Sequence, residues 1–418
     1  MEYVRRAVDE ALDELLLQLP AILLDGPKAV GKTTTATQRA RTTKKLYLQQ
    51  DLDRAALSPN WLVEGQKPIL LDEWQKFPQS WELVRESVDS DYSGGQFLLT
   101  GSLPDSGTHS GAGRITSLRM RPLGFSERGL GRPSVSIAAL LAGQCEVSGK
   151  TTFSGEQYAD EVARSGFFSI RNKSGNARMV ALDGYLERII DTDVREAGLN
   201  VRRPASLAAW LRAYAAATAT TASWETIRDA ATGVGDSAPT KATTLPYRDA
   251  LTRLRILDEL PAWIPSRNHF TRVGSASKHY LADPALALRL LGMSTEQLTD
   301  TTGFRQTAFD KPLFGRMFEA LAALTVRGLA EAKFAKVMHF RDAKGFHEVD
   351  LIVQRTDGKI LAIETKLSET VTPQDFKHLH WLSEQIGNEL VGKVLIYAGN
   401  DAYTAQGVSV VPLALLGQ

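Results

Sequence analysis

The chain has 418 residues, 43% of them hydrophobic and 23% charged, with a formal net charge of +1. That length accommodates two or three domains, and the near-neutral balance leaves no global cationic field for nucleic acid, so any basic surface must be local. A single cysteine, Cys145, excludes an internal disulfide and a cysteine-built zinc site and suits a reducing cytoplasm. The acidic residues Asp9, Glu10, Asp13 and Glu14 are foreign to a signal peptide, and no apolar run reaches membrane-spanning length.

In chain order, Val4, Ala7, Val8, Ala11, Leu12, Leu15 and Leu16 recur at helical spacing and predict an amphipathic helix. The apolar run Ile22-Leu23-Leu24 follows as a buried strand. Next comes Gly26-Pro27-Lys28-Ala29-Val30-Gly31-Lys32-Thr33-Thr34, which matches G-x-x-x-x-G-K-[ST] at every fixed position. The glycines permit a tight turn whose N–H groups face an anion. Lys32 is placed to reach the β/γ-phosphates of ATP, and Thr33 to ligate Mg²⁺. Lys45 to Leu48 reads as a second strand. Ile69-Leu70-Leu71 reads as a third strand ending in Asp72-Glu73, with Asp72 toward Mg²⁺ and Glu73 as the base that orients water. Leu98 to Ser102 reads as the next strand, with Thr100 or Ser102 as a γ-phosphate sensor. The loop from Asp105 to Gly113 precedes Arg114, Arg119 and Arg121, candidates for an arginine that completes this or a neighbouring subunit's site.

The segments GPKAVGKTT, ILLDEWQK, LLTGS and GRITSLRMRPLGFSE resemble those of prokaryotic AAA-type ATPases that carry a C-terminal domain of unknown function. The resemblance implies an αβα P-loop core over residues 1–183 that binds ATP or ADP. It also places Arg114 at the family's G-R-[IV] segment, and implies association into a homo-oligomer if the finger comes from a neighbour.

Residues 184–300 read as a helical connector and a winged helix. A helix runs from Gly184. Leu207 to Ala217 and Trp224 to Ala231, the latter capped by Ser223, read as two more. A further helix from Leu245 to Leu257 has Thr244 as N-cap and Pro246 in its first turn. A hairpin of 258–264 and 278–282 completes the order. Residues 201–280 hold eleven Lys or Arg and six Asp or Glu. Arg248, Arg253 and Arg255 on the third helix are candidates for phosphate contacts with DNA.

Residues 301–418 read as a nuclease-like α/β domain. Phe314 to Leu329 is an apolar helix carrying one acid, Glu319, which needs a partner or a metal. Strands are expected at Lys336 to Arg341, from Asp350, and from Ile360 to Lys366. Glu364 and Lys366 share a strand face. Asp350, Glu364 and Glu319 are placed to share Mg²⁺, with Lys366 activating a water. This constellation resembles the PD-(D/E)XK nuclease core. Two functions stay open: a nucleotide-controlled, metal-dependent nuclease, or a signalling or toxin-like switch acting on a protein partner through an inert nuclease-like fold.

Overall fold

The computed structural model describes residues 3–101, 111–231, 239–265, 276–295, 298, 311–342 and 344–418. Ser102, most of the 105–113 loop and the Gly-rich turn at 232–238 lie outside the described residues. Two compact units are formed, Met1–Arg121 with Arg253–Arg255, and Pro122–Thr252 with Ile256–Gln418. The boundary expected at 183 therefore falls inside the second unit.

The first unit is a five-stranded parallel sheet of β1 (Ala21–Asp25), β2 (Thr42–Lys45), β3 (Ile69–Asp72), β4 (Phe97–Gly101) and β5 (Ile115–Arg119). Its order is β2-β3-β4-β1-β5. Alternate residues of β1 serve two cores. Ala21 and Leu23 pack with Trp74, Trp81, Val84 and Phe97, while Ile22 and Leu24 pack with Leu12, Ala36 and Leu70. A strand covered on both faces reads as an unbroken apolar run, which is why β1, β3 and β4 are visible in the sequence. The second strand lies three residues earlier than expected, at Thr42–Lys45. Leu46 is buried in the core just beyond it. Helices α1 (Val8–Leu16), α2 (Lys32–Thr37), α3 (Gln49–Leu57) and α4 (Gln79–Ser90) belong to this unit.

In the second unit the helices Pro204–Ala216, Trp224–Ala230 and Lys241–Arg253 precede an antiparallel pairing of Leu257 with Leu281 and Leu260 with Lys278. Ser223 Oγ accepts from Thr226 N, as its N-cap role requires. The third helix begins four residues before the expected start, so Thr244 and Pro246 lie inside it. Pro246 there lacks an N–H for the helix ladder. Arg255 lies beyond this helix at φ 61°.

A seven-stranded mixed sheet follows, from β8 (Lys336–Arg341), β9 (Glu348–Gln354), β10 (Ile360–Lys366), β11 (Leu390–Tyr397), β12 (Asp401–Ala405) and β13 (Val408–Pro412), with β7 (Gly149–Lys150) on its edge. The order is β7-β12-β13-β11-β10-β9-β8. β8, β9 and β10 are antiparallel neighbours, whereas β10 and β11 are parallel. A parallel step needs a crossover, supplied by the helix Lys377–Ile386. Leu379 and Leu382 of that helix pack on Ile352, Ala362 and Leu395. β6 (Val135–Ser136) pairs with β14 (Leu416–Gly417).

Candidate functional site

The first unit builds its site at the ends of β1, β3 and β4. The loop between β1 and α2 requires glycine at two places. A Cβ on Gly26 would meet the Met120 carbonyl oxygen at 2.1 Å, and Gly31 has φ 103°. Val30 is buried and anchors the loop, whose backbone carbonyl accepts from Arg6 Nη1 at 3.0 Å. Thr34 is exposed one residue beyond Thr33.

Lys32 is 8% exposed, and its ammonium donates to the carbonyls of Gly26 at 2.7 Å and Pro27 at 3.0 Å. Burial pushes its pKa down to about 8, against the opposing pull of Glu73 and Asp25. Register alignment of β3 with β4 sets Asp72 opposite Thr100. Asp72 Oδ1 accepts from Thr33 Oγ1 at 2.7 Å and also from Thr100 Oγ1. Glu73 follows at φ 59°, and its carboxylate accepts from Gln75 at 2.6 Å. The sequence-predicted Lys32, Thr33, Asp72, Glu73 and Thr100 are thus brought together. A hydroxyl and a carboxylate in mutual contact are the donor chemistry that suits Mg²⁺, and the residues fit that ion. Arg114 is elsewhere engaged, donating to Asp89 at 2.7 Å. The arginines at the end of β1 are Arg119, 3.8 Å from Asp25, and Arg255, 2.6 Å from the same carboxylate.

The second unit gathers Glu319, Asp350 and Glu364, but around a residue the sequence reading did not anticipate. Lys278 is 1% exposed. Its Nζ lies 2.9 Å from Glu319, 2.9 Å from Glu348 and 3.1 Å from Asp350. The pairing of Leu260 with Lys278, and of Ala262 with His339 on β8, delivers this lysine to the sheet. Tyr280 donates its hydroxyl to Glu319 at 2.6 Å. Asp350 Oδ2 accepts from Thr365 N at 2.9 Å and Thr365 Oγ1 at 2.8 Å. Burial pushes Glu319 up to about 7, reinforced by Asp350 and opposed by Lys278. Glu364 is raised well above the usual carboxylate range, by burial and then by Asp350. Burial disfavours charge on Lys278 too, but Asp350 and Glu319 outweigh it and hold its pKa well above the ordinary value. Asp350 is lowered despite its burial, chiefly by Lys278.

At three places the side chains have partners other than those expected. The cation within reach of the Glu319, Asp350 and Glu364 cluster is an ammonium, so these residues as arranged do not fit the expected Mg²⁺. Among the described residues no group of three or more His, Cys, Asp or Glu is disposed to hold a metal ion. Lys366 shares the strand with Glu364 but pairs with Asp375 at 2.8 Å, leaving the cluster for the crossover segment. Arg248, expected on phosphate, stacks 4.0 Å from the Trp224 ring and pairs with Glu259 at 3.4 Å.

Residues 18–129 match the family model of the AAA domain. This segment is an AAA-type P-loop domain. Residues 155–297 and 314–416 match two further models, each described as a domain of unknown function, DUF8612 and DUF4143. The chain is 23% identical over 409 residues to an uncharacterized protein of Mycobacterium tuberculosis and to one of Mycobacterium bovis, covering 96% of this chain and 81% of each relative. Among solved structures it is distantly similar to the Walker-type ATPase of Pyrococcus abyssi, at 17% identity and a TM-score of 0.38, over 68% of this chain and 94% of that one. It is also distantly similar to the Aeropyrum pernix ORC2 protein, at 15% identity and a TM-score of 0.30, over 77% and 96% of the two chains. Among the described residues no helix is long and apolar enough to cross a membrane.

Proposed function

We propose that the chain binds ATP and hydrolyses it at the P-loop, and that nucleotide state controls what its second unit engages. The observation that carries this reading is the convergence of Thr33 and Thr100 on Asp72 beside a loop that holds Lys32 buried. Lys32 exchanges its two carbonyl partners for phosphate oxygens. Thr33 and Asp72 would hold Mg²⁺, which when bound with ATP would supply positive charge against the phosphates. Thr100 fixes the Asp72 carboxylate. Glu73 orients the attacking water, and Gln75 holds the Glu73 carboxylate until nucleotide arrives.

For the second unit the geometry favours the switch over the nuclease. Its sheet and carboxylates support a nuclease-like fold. The pairings of Lys278 and Lys366 deprive cleavage of its metal position and of its water-activating base. The partner engaged is therefore held rather than cut.

Turnover of ATP by the purified chain tests the first part. Lys32→Ala is expected to abolish it. A wild type that binds ATP with no turnover refutes hydrolysis. Incubation of plasmid and branched DNA with Mg²⁺ or Mn²⁺, with and without ATP, is expected to leave both substrates intact. Cleavage lost in Glu364→Ala reinstates the nuclease.

A further inference from the structure

We propose that the Lys278 ammonium is the resident cation of the second unit's carboxylate site, and that removing it unmasks a divalent-cation site built from Glu319, Asp350 and Glu364. The proposal rests on the reading of this unit as one that does not cut.

Three features carry it. The first is the number of carboxylates around one ammonium. An ammonium has three N–H groups, and Lys278 Nζ has three carboxylate partners within 3.1 Å, from Glu319, Glu348 and Asp350. They come from the long helix Lys311–Glu331 and from β9, so the oxygens converge on one point. Oxygens of several carboxylates around one cation are the arrangement a hard divalent ion takes, at roughly 2.0–2.6 Å instead of hydrogen-bond distance. The second is Glu364, whose Oε1 is sealed from solvent and has no hydrogen-bond partner. With Lys278 paired to Glu319, Glu348 and Asp350, that oxygen faces no cation among the described residues, and burial, together with Asp350 hydrogen-bonded to the Glu364 carboxyl, holds that group's pKa well above the usual carboxylate range. The third is Asp350. Thr365 holds its Oδ2 through two hydrogen bonds and leaves Oδ1 to the cation. The pocket is thus shaped for positive charge and filled from within the chain.

Without the ammonium, Glu319, Asp350 and Glu364 have no cation between them, and a divalent ion that displaces the protons held by Glu319 and Glu364 takes its place. The test uses the full chain without nucleotide and Mn²⁺ alone as probe, read by electron paramagnetic resonance. The wild type is expected to show no Mn²⁺ binding that depends on Glu364. Lys278→Met is expected to bind one Mn²⁺ per chain, at least about a hundredfold tighter than the wild type. Adding Glu364→Gln to Lys278→Met should remove that binding.

Mn²⁺ binding by the wild type that Glu364→Gln abolishes would overturn the proposal, because Lys278 would then not hold the place. A folded Lys278→Met chain that binds none would do the same. If Lys278→Met is unfolded in metal-free buffer, its melting in Mn²⁺ decides. Recovery that Glu364→Gln abolishes supports the proposal, and no recovery overturns it. ATP turnover measured on the same preparations reads the P-loop independently, so the two readings fail separately.

Discussion

Lys32 and Lys278 are both buried lysines, and their surroundings drive them in opposite directions. Lys32 has two neutral carbonyls for partners, and burial pulls its pKa down to about 8. Lys278 has three carboxylates, and they raise its pKa well above the ordinary value in spite of burial. The difference separates a site waiting for charge from one already satisfied. Neutral oxygens hold an ammonium at a desolvation cost that an arriving phosphate relieves. Carboxylates remove that need altogether. A buried lysine beside acids is therefore weak evidence for catalysis, whereas one held only by carbonyls in a glycine-bracketed loop points to an anion.

The sharpest way to break the comparison is to remove the lysine that is already satisfied. Lys278→Ala leaves buried carboxylates uncompensated and is expected to cost the second unit about 3–5 kcal/mol. Urea unfolding of the full chain measures this, and adding Glu319→Gln should recover part of the loss. A loss below about 1 kcal/mol would mean that the carboxyl groups left behind take up protons and are not buried as charges.

Asp72→Asn is expected to lower ATP turnover about 10²–10³-fold, an effect of about 2.7–4 kcal/mol on the barrier. Steady-state phosphate release reads it, and the second unit's urea midpoint should not move.

A smaller effect concerns pH. Phosphate favours the ammonium form of Lys32, whose pKa without nucleotide is pushed down to about 8. ATP affinity should be full below pH 8 and fall as pH rises through it, by up to about tenfold per unit. Calorimetry in buffers of different ionisation enthalpy should show proton uptake on binding near pH 8. Flat affinity from pH 7 to 9.5 would place the Lys32 pKa near its unperturbed value.

Smallest of all, Arg114→Ala should change turnover by no more than about twofold, because its partner is the surface residue Asp89. A large loss that reappears only in mixed assemblies with wild type would make Arg114 a finger acting on a neighbour.

The first site was legible because its information is local. Gly26 to Thr33 are contiguous, and Asp72 ends an apolar strand whose burial on both faces betrays it. The strands β8, β9 and β10 were legible for the same reason, since their bounds follow the apolar runs. Lys278 was not. It reaches Asp350 through one pairing with Leu260 and another between Ala262 and His339, and no spacing in the sequence encodes that path. Thr244 and Pro246 misled because their helix-start signals lie inside a helix that begins at Lys241. Arg248 misled because a cation on a helix reads alike whether it faces solvent or, as here, the Trp224 ring.

The edge strands of the second unit carry one more consequence, in the order of synthesis. β7 at 149–150 finds its partner at 401–402, and β6 at 135–136 finds its own at 416–417. Each pairing joins stretches roughly 250–280 residues apart, and contacts so distant form late and slowly. As the chain leaves the ribosome, the five-stranded sheet of the first unit has all its strands by residue 119. The short strands β6 and β7 must wait for almost the whole of the rest to be made. During that interval the strand edges of the second unit stand open, which makes it the part of the chain most in need of a chaperone.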